Sequence, residues 1–328
     1  MDTSAELIGT EHYVYFIIGI LILLAIDLGL INRKVHPLEF RRALFWTSLW
    51  IALAIGFATF VIPEPIEKGD EDLRFSFITG YILEYSLSMD NVFVIALIFT
   101  YFKVPTEHQH RVLFWGIIGA LVLRGIMIAL GSVVVQEFHW MLYIFGAFLA
   151  FTGFKMLFTQ EEGVDPEKNP LVRIARKFLP ISQCYDGQKF RTVENGVTKW
   201  TPLIVVLIAV ESADVIFAVD SIPAIYSVTQ EPYIIYTSNI CAILGLRSLY
   251  FVLIASIQYF RYLKVGMSVV LILIGLKMLL PLLGWHPFSS KNQETICSLA
   301  AIVGILLLSM IFSVAMTRKK PKTLFEDT

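Results

Sequence analysis

Polar residues interrupt this chain only at wide intervals. Between them run nine stretches apolar enough to cross a bilayer: 13–31, 43–62, 76–101, 112–134, 141–158, 202–228, 234–257, 265–283 and 296–316. A helix of about 20 mostly apolar residues spans roughly 30 Å of hydrocarbon. The runs lack the two-residue alternation of a membrane barrel, so the pattern predicts an all-α polytopic membrane protein with nine transmembrane helices. The first run carries Asp27 and follows neither a basic leader nor a small-residue cleavage site, which predicts a retained helix. Residues 159–201 are the one long polar stretch. Within it, Pro170–Leu179 predicts a short basic helix and Phe190–Trp200 a hairpin turned at Asn195-Gly196. Both a regulatory loop and a solvated connector fit it.

The third to fifth and the sixth to eighth runs share an order of landmarks. The first of each triplet carries an acid, five residues, then Asp and a small polar residue: Glu84…Asp90-Asn91 and Asp214…Asp220-Ser221. The second carries Arg124 or Arg247 in mid-run, and the third ends Gly153-Phe-Lys155-Met-Leu or Gly275-Leu-Lys277-Met-Leu. Three spans per repeat force the two copies into opposite orientations, an arrangement that secondary transporters use to place a site near the midplane. A duplicated scaffold would show the same order. The chain divides into a two-helix segment (1–75), the first repeat (76–158), the polar loop (159–201), the inverted second repeat (202–283) and a last helix with a basic tail (284–328).

Charge fixes an expected orientation. With the N-terminus outside, the inner segments hold 19 Lys/Arg and the outer ones only Lys68, Arg74 and Lys291, a strong positive-inside asymmetry; the expected location is a bacterial inner membrane. Overall 56% of residues are hydrophobic and 16% charged, against about a quarter charged in soluble domains. A net charge of −1 offers nothing to a nucleic-acid partner. Cys184, Cys241 and Cys297 form no C-x-x-C pair and read as small apolar filler. His108 and His110 read as solvated loop residues rather than metal ligands.

Six acids fall inside spans: Asp27, Glu84, Asp90, Glu211, Asp214 and Asp220. Each costs roughly 2.5–3.5 kcal/mol at a helix centre, so together they cost roughly 15–20 kcal/mol before partners are counted. Four bases (Arg124, Lys155, Arg247, Lys277) lie in spans too. The excess of two negative charges is what one divalent cation neutralises, although protonation would do the same. Arg124 and Arg247 cannot snorkel from mid-helix and are the natural partners, as structural ion pairs or as substrate contacts. Lys155 lies near the inner surface and Lys277 deeper. Asp27 is within reach of Arg33 and Lys34, so pairing and a site role are both open. Carboxylates with Asn91 and Ser221 are hard oxygen donors suited to Mg, Ca or Mn. Glu84 and Asp90 lie about 120° apart around an ideal helix, as do Asp214 and Asp220, and local unwinding would reconcile them. Pro223 supports a break in the sixth run, since it leaves the Val219 carbonyl without its helical donor. Glu211 and Asp214 face the same way.

The stretches Glu84-Tyr-Ser-Leu-Ser-Met-Asp90-Asn91-Val-Phe-Val and Glu211-Ser-Ala-Asp214-Val-Ile-Phe-Ala-Val-Asp220-Ser221-Ile-Pro223-Ala resemble the paired signatures of the TerC family, most of all its Alx branch. Tyr143-Ile-Phe-Gly-Ala-Phe-Leu and Ala242-Ile-Leu-Gly-Leu-Arg247 resemble it as well, and the likeness covers nearly the whole chain. The resemblance implies a secondary transporter that exports Mn²⁺ from the cytoplasm, with Mn²⁺ as substrate and no tightly bound cofactor. Glu84, Asp90, Asn91, Glu211, Asp214, Asp220 and Ser221 would hold the metal, and Asp27, Arg124, Arg247 and Lys277 would be accessory or coupling groups. Such carboxylates could exchange metal for protons. No G-x-x-x-x-G-K-[ST] stretch suggests direct ATP drive, and no activated nucleophile suggests an enzyme. The competing reading is a membrane assembly or redox-modulating factor that transports nothing.

Overall fold

The computed structural model describes residues 9–26, 40–63, 71–158, 169–194, 196–256, 263–285, 287–288 and 290–319. Among them are eleven α-helices and one hairpin: α1 (Thr10–Ile26), α2 (Phe40–Phe60), α3 (Leu73–Tyr101), α4 (Thr106–Glu137), α5 (Met141–Phe158), α6 (Pro170–Phe178), β1 (Arg191–Glu194), β2 (Val197–Trp200), α7 (Pro202–Tyr226), α8 (Pro232–Leu244), α9 (Leu246–Ser256), α10 (Leu263–Leu279) and α11 (Lys291–Lys319). Seven helices are long and apolar enough to cross a membrane, and an eighth span is made if α8 and α9 count together. α1 is a shorter apolar helix of 17 described residues. The rest of its expected run, with Asp27, lies outside the described residues.

Local sequence sets the helix starts. The Asp72 carboxylate accepts from the Arg74 N–H (3.0 Å) to cap α3. The Asn169 side chain caps α6 at Leu171 N–H, with Pro170 preset for the first turn. Proline likewise opens α7 and α8.

α3 and α7 occupy the middle of the bundle. α3 packs against α7, α8 and α9, and α4 packs against α7 and α8. Phe77, Tyr81, Val206, Ile234 and Tyr250 lie in the core around them. α11 turns Leu307, Leu308, Ile311 and Phe312 outward, as a lipid-facing helix does.

α5 packs directly on α10, and glycines permit the close approach. A Cβ at Gly153 would meet the Ser268 carbonyl at 2.8 Å and the Ile272 N at 2.9 Å. With the halves exchanged, a Cβ at Gly275 would meet the Ala150 N and the Gly146 carbonyl, both at 2.5 Å. Small residues let membrane helices gain dispersion contact where no hydrophobic effect drives them together.

Three expectations are corrected here. α3 and α7 are unbroken helices, so the unwinding expected around Asp90 and Pro223 does not occur. An unwound segment in hydrocarbon strands several backbone groups at several kcal/mol each, whereas one proline removes a single bond. The break falls instead between α8 and α9, bent by 45° at Gly245 inside the expected span 234–257. His108 and His110 are not simply solvated: His108 is buried with its ring 5.9 Å from that of Tyr185, and His110 lies 4.7 Å from Phe251.

The 159–201 loop holds its expected helix and hairpin. β1 and β2 pair from Arg191↔Trp200 to Glu194↔Val197, and Gly196 takes φ +76°, while Asn195 lies outside the described residues. The loop is seated on the bundle. Tyr185 Oη donates to the Phe102 carbonyl (2.8 Å), Gln188 to that of Glu107 (2.9 Å), and Asn169 to Ser212 Oγ (2.7 Å). Cys241 is buried as filler, whereas Cys184 and Cys297 are exposed; all three are free thiols.

Candidate functional site

Arg124 is the hub of the membrane interior. Its α4 turn packs on α7 and α8, which brings the guanidinium between both repeats at 1% exposure. Nε donates to Asp214 Oδ2 (3.1 Å) and Nη2 to Asp214 Oδ1 (2.9 Å), a two-pronged pairing. Nη1 donates to Glu84 Oε1, to Asn239 Oδ1 (2.8 Å) and, more weakly, to Ser221 Oγ (3.4 Å). Glu84 also accepts from Ser88 Oγ (3.2 Å), and Asp214 Oδ1 from Asn91 Nδ2 (2.9 Å). Two buried acids thus share one buried cation. The equivalent acids of the two halves meet on the arginine of the first.

A cavity of about 30 Å³ adjoins this cluster. Most of its lining is apolar, from Val92, Ile95, Leu113, Ile117 and Tyr250, and its polar contributors are Asn91, Glu211, Asp214 and Arg247. Two oxygens there have no hydrogen-bond partner although both are buried: Asn91 Oδ1 and Glu211 Oε2. A buried acceptor left unsatisfied costs about 1–3 kcal/mol, so a water or a cation in the cavity would relieve both. The volume suffices for either. The Glu211 carboxylate rests on the α4 backbone at Gly119, in space that a Cβ would occupy. Arg247 reaches the cavity from α9, two residues past the Gly245 bend.

The remaining candidates are spread along the bundle. Asp220 is half-buried, hydrogen-bonded to Thr152 and close to Lys155 on α5, away from the Arg124 cluster. Asp90 is half-buried on α3, about 120° round the helix from Glu84. Lys277 pairs with Glu294 of α11 (2.9 Å) and donates to the Ser227 carbonyl (3.2 Å) and Ser298 Oγ (3.0 Å). Among the described residues, no three His, Cys, Asp or Glu converge in a way that would hold a metal ion. The cavity's donors are two carboxylates and an amide.

Four residues at these sites escaped sequence reasoning. Asn239 is fully buried and holds Arg124, and its one signal was an amide within an apolar run. Ser88 and Gly119 carried no signal in a span where small residues are common. Glu294 reads as an ordinary loop acid until Lys277 is seen to reach it.

Fold and site together define a polytopic α-helical membrane protein whose two halves meet on a buried, hydrogen-bonded charge cluster. Residues 69–321 match the integral membrane protein TerC family, and the chain belongs to that family. It is 44% identical to an uncharacterized membrane protein of Myxococcus xanthus, over 98% of this chain and 97% of the other. It is 41% identical to the putative membrane-bound redox modulator Alx of Escherichia coli K12, over 91% and 92%. An uncharacterized membrane protein of Rickettsia bellii is 36% identical over 92% and 96%. No solved structure matches the chain.

Proposed function

We propose that this protein is a secondary transporter that moves a divalent metal cation, Mn²⁺ in the first place, out of the cytoplasm. The observation that carries the reading is the cavity on which Asn91 Oδ1 and Glu211 Oε2 stand unsatisfied beside Asp214. Hard oxygen donors of this kind favour Mn, Mg or Ca over softer ions. Acids so deep in a bundle mark ion pathways more often than scaffolds. Protons are the proposed coupling ion, because Glu211 could carry one when empty of metal. The protein would sit in a bacterial inner membrane with its N-terminus outside and its basic tail inside, in keeping with the 19-to-3 division of Lys/Arg. The halves would act as inverted repeats, which the reciprocal glycine contacts of α5 and α10 support.

The test is Mn²⁺ flux in proteoliposomes carrying an internal metal indicator and a pH probe. Wild type should carry Mn²⁺ down its gradient, and Glu211→Gln and Asp214→Asn should not. Full flux in both variants would remove the cavity from the mechanism. A second reading is favoured by the name that the Escherichia coli relative bears: a redox modulator that moves no ion. Absence of flux of any divalent cation by well-folded wild-type protein would decide for it.

A further inference from the structure

Asp214 is the acid that both the cavity and the cluster claim. Its Oδ1 already accepts two hydrogen bonds, from Arg124 Nη2 and Asn91 Nδ2, each at 2.9 Å. A carboxylate oxygen offers two lone pairs, so Oδ1 is fully used. Its Oδ2 accepts from Arg124 Nε. Asp214 therefore cannot give its whole strength to an ion in the cavity while it holds Arg124.

Arg124 has somewhere else to go. Its Nη1 is held on the opposite side by Glu84, Asn239 Oδ1 and Ser221 Oγ. A small rotation of the guanidinium would loosen Asp214 while the Nη1 bonds to Glu84 and Asn239 keep the cation paired. Asn91 is poised in the same sense. Its amide nitrogen faces Asp214 while its oxygen stands free, so a turn of the amide exchanges donor for acceptor.

We infer that Arg124 is a tethered competitor for the transported cation, occupying Asp214 when the cavity is empty and yielding it to Glu84 and Asn239 when an ion loads. The inference rests on the transport reading above. It explains how acids so deeply buried can stand empty, since an unpaired charge there is costly. It also makes release independent of protonating Asp214, because an arginine does not lose its proton in proteins. Recapture by Arg124 is enough to lower the site's hold on the ion. The residue is a positioning group that acts through Asp214.

Asn239 offers a test that leaves every charged group of the cluster in place. Asn239→Asp strengthens the alternative hold on Arg124 and should tighten Mn²⁺ binding. Asn239→Leu removes the acceptor, returns Arg124 to Asp214 and should weaken it. The expected shifts are about fivefold or more, in opposite directions. The readout is the free-ion Mn²⁺ resonance in titrations of purified protein in nanodiscs, with thermal melting as the check on folding. An added carboxylate would tighten binding by charge alone, so the leucine variant is decisive. Binding as tight as wild type in folded Asn239→Leu overturns the competitor role. Loss of binding in Asp214→Asn, with wild type binding, would then leave the transport reading standing. No binding by wild type would overturn both.

Discussion

Gly119→Ala tests the cavity with one methyl group. An ideal Cβ at residue 119 lies 2.0, 2.4 and 2.6 Å from Oε1, Cδ and Oε2 of Glu211. Ordinary contact begins at 3.4 Å, so the nearest oxygen must retreat from 2.0 Å by about 1.4 Å. Metal–oxygen distances tolerate only about 0.2 Å. The methyl therefore removes Glu211 from any ion that it ligates, without touching its charge.

Stability should hardly change. The atoms displaced are the far end of a flexible side chain, so the strain falls near the low end of the roughly 1–3 kcal/mol of overpacking. Alanine returns about 0.8–1 kcal/mol of helix propensity over glycine. The net effect on melting should be under about 1 kcal/mol, while Mn²⁺ affinity and flux should drop at least tenfold, at the lower edge of the loss seen when only an outer-shell partner of a metal ligand is removed. Gly56→Ala on α2 is the control, where a Cβ meets nothing within 4 Å and the residue does not border the cavity. Flux in liposomes and melting in detergent read the two effects separately. A folded Gly119→Ala that moves Mn²⁺ like wild type would show that the Glu211 carboxylate is no ligand.

Arg124→Leu should lose about 3–5 kcal/mol, because it strands Glu84 and Asp214 in the interior; an unchanged melting temperature would refute the pairing. Gly275→Ala should cost about 1–3 kcal/mol, since its Cβ meets two backbone atoms at 2.5 Å, whereas Gly304→Ala meets nothing and should be silent. Asp90→Asn and Asp220→Asn should each abolish Mn²⁺ efflux at normal expression, and full efflux in both would place these acids outside the path. Single cysteines at 186 and 322 should label from the inside and one at 70 from the outside; outward access at 186 would reverse the orientation.

Hydropathy sufficed to place the long helices, because in a bilayer span length and apolar content are one constraint. It missed the bend at Gly245, since glycine is ordinary in such helices and nothing local marks which one yields. The acids and arginines were legible as partners, because buried charge needs an opposite charge. Which acid met which base was not, for that depends on helix rotation. Arg124 takes Glu84 and Asp214 from both halves, while its counterpart Arg247 lines the cavity. The roles of Asn239 and Gly119 were hidden for a shared reason: they exist only across a helix contact.

The six-residue interval between paired acids is then informative because the helices do not break. On unbroken α7, Asp214 and Asp220 stand about 120° and about 9 Å of rise apart. The first accordingly meets Arg124 on α4, and the second meets Thr152 and Lys155 on α5. They cannot grip one ion together in this conformation. Under the transport reading they are successive stations, each vacated against its own base. Lys155 would then stand to Asp220 as Arg124 stands to Asp214. α5, which carries Lys155, is also the helix whose glycines let it ride directly on α10. A shift along that seam would move Lys155 relative to Asp220 only by sliding the α5 glycines past Ile272, Met278 and Leu279, whose side chains pack on them.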